Sequence, residues 1–550
     1  MSQKKIDIAT AVEMAYKLYQ QKQYHQCVDI CIQILAIDYT RADIWNLAGI
    51  VMLELKIYKR AIEYFTQAAK CNQRDLDYQI NLAEAYRRSG NPTQCVEKLE
   101  WLLNAGNVSN PNLHFNLAKA YADLEDSEKS IYHYTIAIKL DPNDLGAMFN
   151  LANAQVSLKH FGEAIELYLH ALGKGYLDAG VNLANTYIHI GLFNEAVQVY
   201  SAIYEYYKDE GDFLFNYANA LNYANTNAQH ALMLYLQASA LNPANVHYRT
   251  NYAHFLLKNL HFEEGFRIYE ERKKLPNMLP EGITSFWEYN GEKADFADKS
   301  VLVYHEQGFG DSIMFARFLP LLIQCTKKVR VIVQETLVPL FSKFGIECVA
   351  HRDEVGDYDV AISLLSLPLA LGVRSVEDLH ITPFLLQNTQ SRTTELNKGL
   401  QHTIKIGICF STDSQFSEAS SKSMPLKLLM EALSDESIAQ HLEIYSLNKA
   451  QCKEISEYAI VQKTMNDFAE TYDIIKDMDM VISIDSAVAH LSASMGKHTL
   501  VLLHKGYDWR WGNGISTPWY ESAVCITQSK MGEWGDVAHN VSAYVKGFLG

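Results

Sequence analysis

Three loops of the sequence concentrate polar residues and glycines in positions that suit a bound ligand. The first loop begins at His305 in HEQGFGD and ends at Asp311. Gly308 and Gly310 permit a tight turn and the close approach of a ligand. Asp311 stands at the start of the following helix, where an aspartate is also a good N-cap. The pattern therefore leaves two interpretations of Asp311, a ligand-binding carboxylate and a helix cap.

The second loop follows the run IKIGICF and is rich in hydroxyl side chains. It contains Ser411 and Thr412 and ends at Lys422, just before a predicted helix start at Pro425. A lysine among serine and threonine side chains suits a diphosphate. The alternative is a solvated loop lysine.

The third loop lies in ISIDSAVAHL, where a strand passes into a helix. Asp485, Ser486 and Ala487 occupy this junction, and the backbone amides and dipole at a helix start favour phosphate. His490 follows one turn later on the face of Ala487. His490 either binds the anion or is a core histidine whose ring nitrogens bond to other protein groups.

The segments before these loops are short runs of β-forming residues that alternate with helical segments. The first set occupies 300–304, 329–333 and 358–362, and the second 404–410, 442–447, 479–484 and 499–503. Such alternation predicts parallel sheets, and the gap between the sets predicts two Rossmann-like lobes with a cleft between them. Because ligands in such folds bind at the carboxyl ends of strands, the three loops are expected to line that cleft.

One asparagine recurs through the first half of the chain at intervals of 32 to 35 residues. It opens the tripeptide Asn-Leu-Ala or Asn-Tyr-Ala at Asn46, Asn81, Asn116, Asn150, Asn182, Asn216 and Asn251. A period near 34 residues is typical of a solenoid of helical hairpins. Packing explains the leucine and alanine, but asparagine is a mediocre helix former, so its recurrence indicates a separate role.

These repeats resemble the tetratricopeptide repeat, with about eight copies and a capping first copy near 8–40. In such arrays the first helices line the concave surface, so the asparagines are expected to form a ladder there. A primary amide offers donors and an acceptor, which matches a peptide backbone. The arrangement is similar to that of protein O-linked N-acetylglucosamine transferases, where the ladder holds acceptor peptides. The alternative is that each amide bonds a neighbouring helix and sets the repeat geometry.

The net charge and the distribution of apolar residues limit the kinds of molecule to which this protein is expected to bind. A net charge of -16 argues against a general nucleic-acid binder and against an anionic membrane surface. No window approaches the roughly 18 apolar residues of a membrane span, and the N-terminal segment lacks the apolar core of a signal peptide. The nine cysteines form no CxxC pair, so we expect a cytoplasmic protein with free thiols.

These patterns predict four parts of the chain. We place the solenoid at 1–272, a connector rich in proline and glycine at 273–298, an N-terminal α/β lobe at 299–395 and a C-terminal lobe at 402–550.

Several segments together are similar to tetratricopeptide-repeat proteins with a glycosyltransferase-9-like, heptosyltransferase-related domain. They are HEQGFGDSIMFARFLPLL, YDVAISLLSLPLALG, MVISIDSAVAHLSASMGK and DWRWG, in that order. The resemblance covers nearly the whole chain. It implies a GT-B fold, a nucleotide-sugar donor held mainly by the C-terminal lobe, and no need for a metal or other cofactor.

The resemblance also implies roles for individual residues. Asp311 matches the aspartate proposed as general base in heptosyltransferases, which would take a proton from an acceptor hydroxyl. Lys422 and the amides around Ser486 and Ala487 would stabilise the leaving nucleoside diphosphate, and His490 would bond a phosphate or sugar oxygen. A single attack opposite the leaving group implies inversion at the anomeric carbon.

The remaining donor-binding positions implied by the family are Gly310, Ser411, Thr412 and Asp485, the last of which would orient its loop. The acceptor-binding residues would be Asn81, Asn116, Asn150, Asn182, Asn216 and Asn251.

The sequence departs from the family in the second loop. Phe410, Ser411 and Thr412 stand where Trp-x-Gly is usual. Lys422 replaces the usual arginine, which keeps the charge but loses bidentate geometry. These departures imply an altered donor site or a weakly active domain.

Two features leave further alternatives. His305 and Glu306 are titratable groups near the expected cleft, and either could replace Asp311 as base. The aromatic and basic cluster 509–511 would form a wall against the base or the sugar, or would simply pack the lobe.

The sequence is compatible with three different functions. The first is a protein glycosyltransferase whose solenoid guides an acceptor protein. The second is an enzyme with a glycan or lipid-linked acceptor, and the third is a non-catalytic scaffold with a degenerate transferase lobe. The asparagine ladder favours the first over the second, since a glycan does not need a groove that matches a peptide. The joint presence of Asp311, Lys422 and His490 argues against the third.

Overall fold

The computed structural model describes residues 7–549, except 277, 282, 380, 382–384, 386–402, 413–418 and 450–452. The chain divides into two compact units, Met1–Thr186 and Tyr187–Gly550. None of the described helices is both long and apolar enough to cross a membrane.

The first unit is a series of paired helices. They are α1 Ile8–Gln20, α2 Tyr24–Ile37, α3 Ala42–Glu54, α4 Tyr58–Cys71, α5 Leu76–Arg88, α6 Pro92–Asn104, α7 Pro111–Asp123, α8 Ser127–Leu140, α9 Leu145–Ser157, α10 Phe161–Gly173 and α11 Leu177–His189, which runs across the unit boundary. Side chains of Asn110, Asp126 and Asp144 cap the starts of α7, α8 and α9 and satisfy amides that have no partner within the helix. These caps fix the beginning of each helix in the repeat.

Small residues let the two helices of a repeat approach each other. Ala48 and Ala61 are fully or nearly fully buried, and a Cβ added to Gly49 would stand 2.7 Å from the Phe65 ring. Large and small side chains therefore interlock at the crossing of α3 and α4. This is the packing that the repeat pattern predicts.

The second unit begins with five more helices of the same kind. They are α12 Phe193–Tyr207, α13 Gly211–Tyr223, α14 Ala228–Leu241, α15 Val246–Lys258 and α16 Phe262–Tyr269. Within the described residues, the chain up to Tyr269 thus forms sixteen α-helices.

The rest of the second unit alternates strands and helices. The strands are β1 Ser300–Tyr304, β2 Lys328–Ile332, β3 Cys348–Val349, β4 Val360–Ser363, β5 Ile404–Cys409, β6 Leu442–Ser446, β7 Ile460–Gln462, β8 Met480–Ile484, β9 His498–Leu503 and β10 Ala523–Thr527. The helices are α17 Phe309–Phe315, α18 Leu319–Gln324, α19 Val338–Lys343, α20 Leu367–Ala370, α21 Ala419–Lys422, α22 Leu426–Leu433, α23 Phe468–Lys476, α24 Ala487–Ser494 and α25 Gly535–Leu549.

The strands form two parallel sheets. One has the order β3-β2-β1-β4 and the other the order β10-β9-β8-β5-β6-β7, and every strand pair is parallel. The second sheet has the doubly wound topology. Its strand order along the sheet reverses between the neighbouring strands β5 and β8. The predicted fold class, an α solenoid followed by two Rossmann-like lobes of GT-B type, is confirmed.

The last helices of the repeat series share a core with the α/β part. Phe262, Phe266 and Tyr269 of α16 belong to the same cluster of buried residues as Phe315 and Trp519. The ring centroids of Phe262 and Trp519 are 6.0 Å apart. One of the hydrophobic cores of the second unit therefore includes helices of the repeat type as well as strands and helices of the α/β part.

A buried ion pair also fixes the end of α16 to the first sheet. Nε of Arg272 donates to Oε2 of Glu306 at 2.7 Å, and Nη2 of Arg272 donates to the Ser366 hydroxyl at 3.0 Å. The side chains of Arg272 and Glu306 are 1% and 0% exposed. Because removing Arg272 would leave the carboxylate of Glu306 buried without its cation, this contact holds the loop after β1 in place.

Candidate functional site

The main cleft has a volume of about 890 Å³ and lies where the predicted loops meet. Its lining includes ten of the positions singled out above, from all three loops: Gly308, Gly310, Asp311, Ser411, Thr412, Lys422, Asp485, Ser486, Ala487 and His490. The loops leaving β5 and β8 carry the second and third groups, and β5 pairs directly with β8. The cleft therefore lies at the point where the strand order reverses, as expected for a ligand site in this fold.

Asp485 connects two elements of the cleft. Its Oδ1 accepts a hydrogen bond from Nε1 of Trp511 at 2.7 Å, and its Oδ2 accepts one from Nζ of Lys422 at 3.0 Å. Burial alone would raise the pKa of Asp485, but Lys422 and Trp511 hold this pKa below its ordinary value. Asp485 is thus an anionic anchor that positions Lys422 at the wall of the cleft.

Ser486 and Ala487 lie at the start of α24. Ser486 has an extended backbone, with φ -152° and ψ 168°, and its hydroxyl lies 2.9 Å from the Ser483 hydroxyl. Its side chain makes no capping bond to the helix. The amides of the first helical turn have no acceptor within the helix, and the positive end of the helix dipole faces the same region. This end of α24 suits an anion.

His490 is 4% exposed and is held from three sides. Its Nδ1 lies 2.9 Å from the Tyr520 hydroxyl, and its ring stacks on Trp511 with centroids 4.7 Å apart. Burial lowers the pKa of His490 to about 4. The imidazole is therefore neutral at physiological pH. It packs among buried aromatic side chains and also lines the cleft, so its binding of a phosphate or sugar oxygen stays a prediction.

Gly310 makes the contact between α17 and α24 possible. A Cβ at this position would lie 2.7 Å from Cδ2 of His490, which is shorter than any ordinary contact. The absence of a side chain thus lets the His490 ring approach the first loop. The sequence predicted the close approach of a ligand here, and the structure places a histidine of the other lobe against the glycine.

Asp311 forms an ion pair with Arg510, whose Nη2 lies 2.5 Å from Oδ1 of the carboxylate. Burial raises the pKa of Asp311 above its ordinary value, although Arg510 opposes the shift. Its side chain is 16% exposed and lines the cleft. A carboxylate of raised pKa at the edge of a cleft is suited to accept a proton.

Arg510 stands between two carboxylates. Besides its ion pair with Asp311, its Nη1 donates to Oδ1 of Asp508 at 2.8 Å and its Nη2 donates to Oε1 of Gln307 at 3.2 Å. Arg510 holds the pKa of Asp508 well below its ordinary range, against the effect of burial. The sequence singled out Arg510 only as part of an aromatic cluster, and it did not single out Asp508 or Gln307.

The two neighbouring tryptophans are buried and do not line the main cleft. Trp509 is 4% exposed and Trp511 is fully buried. Trp509 lies edge-on to Trp519 with centroids 5.9 Å apart. The two tryptophans thus pack inside the lobe, as one of the two interpretations of this cluster predicted. Arg510, which lies between them in sequence, lines the cleft.

The two alternative bases of the first loop are not available in the cleft. His305 is not among the residues that line it, and burial lowers the pKa of His305. Glu306 is fully buried against Arg272. The hypothesis that Glu306 replaces Asp311 as base is wrong, because its carboxylate is occupied by the ion pair that joins α16 to the sheet.

Ser411 and Thr412 line the cleft on a strand end fixed by Asn448. The side-chain amide of Asn448 donates to the Ser411 carbonyl at 2.9 Å and to its hydroxyl at 2.7 Å. Its Oδ1 accepts from the Phe410 amide at 3.1 Å. Asn448 was not predicted from the sequence. Its position after β6 at the same edge of the sheet is the only signal that pointed to it.

The repeated asparagines of the first unit are half-exposed and use part of their bonding capacity internally. Asn81 donates to Oδ1 of Asn46 at 2.9 Å, while Asn116 and Asn150 donate to carbonyls one turn back in their own helices. Asn182 donates to Oδ1 of Asn153 at 2.7 Å. These bonds support the geometric role in part. A primary amide has two hydrogens, so a bond of this kind does not by itself exclude a further bond to a peptide.

A second asparagine, three residues after the first, has a different role. Oδ1 of Asn153 accepts a bond from the Tyr168 hydroxyl at 2.5 Å, and Oδ1 of Asn219 accepts one from the Tyr235 hydroxyl at 2.6 Å. Both tyrosines are about 1% exposed. This column satisfies buried hydroxyls, and the Asn-x-x-Asn spacing was the unused sequence signal for it.

In the second unit a smaller side cavity of about 160 Å³ lies beside the main cleft. It is lined by the repeat residues Asn219, Asn222, Tyr223, Tyr235, Asn251, His254 and Lys258 and by Lys422, His504, Gly506, Tyr507, Asp508 and Trp509. Lys422 and Asp508 line both spaces. Asn251 thus lies close to the main cleft, whereas Asn216 lines neither space.

Known protein families match the repeat part and the α/β part of the chain separately. Residues 432–537 match the family described as glycosyltransferase family 9 (heptosyltransferase), and residues 80–144 and 115–179 match the tetratricopeptide repeat. No curated protein matches the chain.

Similar solved structures are repeat proteins of low identity. TTC0263, a thermophilic TPR protein from Thermus thermophilus, is 20% identical and covers 33% of this chain and 100% of its own, with a TM-score of 0.30. YrrB, a TPR protein with an unusual peptide-binding site, is 17% identical over 30% of this chain and 86% of its own, with a TM-score of 0.25. The human IFIT1 dimer with PPP-AAAA is 16% identical over 49% of this chain and 69% of its own, with a TM-score of 0.39.

Proposed function

We propose that this chain, which joins tetratricopeptide repeats to a C-terminal glycosyltransferase family 9 domain, transfers a sugar from a nucleotide-sugar donor to a protein acceptor. One observation carries the proposal. A partly buried carboxylate, Asp311, lines a single cleft of about 890 Å³ together with two cationic side chains and a helix N-terminus.

The donor diphosphate would bind beside the two cationic side chains and the helix start that line the cleft. Lys422 is held at the wall by Asp485, Arg510 is 10% exposed toward the cleft, and the first turn of α24 adds its amides. As the bond between sugar and diphosphate breaks, negative charge grows on the leaving group. Fixed positive groups at that point stabilise the transition state and support a mechanism without a metal ion.

Asp311 is the base that the geometry favours. Its raised pKa makes it a better proton acceptor than an exposed aspartate, and Arg510 keeps it anionic and oriented. In the proposed step the acceptor hydroxyl gives its proton to Asp311 while its oxygen attacks the anomeric carbon. The nucleoside diphosphate leaves from the opposite face, so the configuration inverts.

The repeats of the second unit support a protein as acceptor. Asn251 of α15 lines the side cavity beside Lys422 and Asp508, so a chain that lies on α13 and α15 would reach the main cleft. Amide side chains in this position suit an extended peptide backbone.

The donor is tested by thermal shift with UDP-, GDP- and ADP-linked sugars and with the free nucleoside diphosphates. A donor present at about 100 times its Kd should stabilise the protein by about 2.7 kcal/mol. Transfer is then measured with the radiolabelled form of that donor and detected as label in acceptor protein. Stabilisation by none of these compounds would contradict the proposal.

Asp311→Asn separates binding from chemistry. Without the base the rate of transfer should fall by about 10²–10⁴-fold. The thermal shift with donor should remain, since Lys422 stays bound to Asp485 and Arg510 to Asp508. Asp209→Asn, an exposed change outside the cleft, is the control. Unchanged turnover in Asp311→Asn would remove this residue from the mechanism.

A further inference from the structure

The side cavity contains a lysine for which the proposed reaction has no use. Nζ of Lys258 donates to the Asn222 carbonyl at 3.0 Å and to Oδ1 of Asn225 at 2.7 Å, and it lies 5.2 Å from the centre of the Tyr507 ring. In the described part of the chain no carboxylate lies within ion-pair distance of it. The cation is half-buried, and burial lowers the pKa of Lys258 to about 8. A charged group in such surroundings usually has a counterion.

The other charged groups of the side cavity are already paired. Lys422 binds Asp485, and Asp508, the carboxylate that lines the cavity among the described residues, binds Arg510. The positive charge of Lys258 is therefore the charge that a ligand of this cavity would meet.

Two donors point to a ligand that only accepts hydrogen bonds. Lys258 uses two of its three ammonium hydrogens internally, which leaves a third. Oδ1 of Asn219 is occupied by Tyr235, so its NH₂ group is the part of the amide that can meet a ligand. An ionised carboxylate has acceptors only and fits a space of about 160 Å³.

We infer that the side cavity binds the carboxylate of an aspartate or glutamate in the acceptor protein, a few residues from the modified side chain. The inference rests on the proposed function. The short distance in sequence follows because Lys422 and Asp508 line both the side cavity and the main cleft. A peptide source is favoured because α13, α14 and α15 supply most of the cavity wall, including Asn251.

The test measures peptide binding with the full chain and without any donor. Fluorescent heptapeptide pools carry a central serine or threonine and one fixed glutamate at each other position in turn. Matched pools carry glutamine there, and binding is followed by anisotropy. Wild-type protein should prefer at least one glutamate pool over its glutamine pool by about tenfold, as expected for a hydrogen bond to a charged group.

Three variants link this preference to the cavity. Lys258→Met should abolish the preference and Lys258→Arg should retain most of it. Lys258→Glu should reverse it, so that the glutamine pool binds more tightly than the glutamate pool. Lys208→Met removes an exposed lysine of the repeat region that is paired with Glu205 and should change nothing. Melting temperatures without peptide confirm that each variant is folded.

Several results would overturn the inference. They are equal binding of glutamate and glutamine pools, no measurable binding of either pool, or a glutamate preference that persists in Lys258→Met. Glucuronic acid serves as a carbohydrate carboxylate. If it binds in a Lys258-dependent manner while glutamate pools show no preference, the carboxylate belongs to a sugar and the inference is wrong. Because no donor is present, a glutamate preference without any transfer would contradict only the proposed function.

Discussion

At the scale of single residues, the contact between Gly310 and His490 sets how closely the first loop approaches α24. Gly310→Ala would place a Cβ 2.7 Å from the imidazole, and overpacking of this kind costs about 1–3 kcal/mol. We expect a lower melting temperature and a loss of transfer, measured by calorimetry and by the labelled-donor assay.

A neighbouring glycine provides the control for this change. A Cβ added at Gly308 would come no closer than 3.8 Å to the Asp311 carboxylate, so Gly308→Ala should leave the melting temperature close to that of the wild type. Equal destabilisation by both substitutions would show that the His490 contact is not the cause.

The low pKa of His490 makes the second unit sensitive to acid. In the folded state this pKa is about 4, against 6.5 for an ordinary histidine. Between these values the unfolded chain binds the proton and the folded chain does not, so stability falls as the pH falls. At pH 5 the loss from this one group is about 2 kcal/mol.

His490→Gln tests the assignment because it cannot be protonated. Urea titrations at pH 7.5 and pH 5 should show a smaller loss of unfolding free energy in His490→Gln than in the wild type. His539→Gln, on an exposed position of α25, should behave as the wild type does. An identical pH dependence in all three proteins would contradict the low pKa.

Much of the site was predictable at this scale, but the pairing of its residues was not. Asp485, Ser486 and His490 were expected in the cleft because the end of a parallel strand leads there. The partners of Asp485 are 26 and 63 residues away in sequence, and no local pattern connects them. The ion pair of Glu306 was not predictable for the same reason, since its partner Arg272 is 34 residues away in sequence.

At the scale of elements, the two asparagine columns of the repeats should differ in their effect on stability. Asn153→Ala leaves the buried Tyr168 hydroxyl without its acceptor, which costs about 1–3 kcal/mol. Asn150→Ala, on the same helix α9, removes only a bond to the Gly146 carbonyl and should cost about 0.5 kcal/mol or less. Thermal unfolding of the two variants measures the difference, and a larger loss in Asn150→Ala would reverse our assignment.

Whether a strand could be predicted from the sequence depended on its length and on its position in the sheet. The seven predicted runs correspond to β1, β2, β4, β5, β6, β8 and β9, within about two residues at each end. The strands β3, β7 and β10 were missed. Each lies at the edge of its sheet, and β3 and β7 have only two and three residues, too few to show a period. An edge strand needs fewer apolar residues, so its sequence carries less signal.

At the scale of the whole molecule, the cluster around Trp519 predicts which fragments fold. Phe262, Phe266 and Tyr269 share its core, so a fragment of residues 273–550 would expose this apolar surface to water. We expect it to aggregate or to bind a hydrophobic dye. The fragment 177–550, which keeps α11–α16, should be monomeric and unfold cooperatively, as judged by gel filtration and calorimetry. A stable, cooperatively folded 273–550 fragment would contradict this prediction.

The two columns of asparagine have a consequence for anyone who builds new repeats from this chain. A consensus taken over the repeats would keep both asparagines of Asn-x-x-Asn as if they were one feature. The buried tyrosine that follows the second asparagine, 15 residues later for Asn153 and 16 for Asn219, should be copied only together with that asparagine, because without it the buried hydroxyl loses its acceptor. In the described part of the repeats, the first asparagine does not accept a bond from a buried tyrosine. It is therefore the position at which an engineered array can be given a new binding specificity.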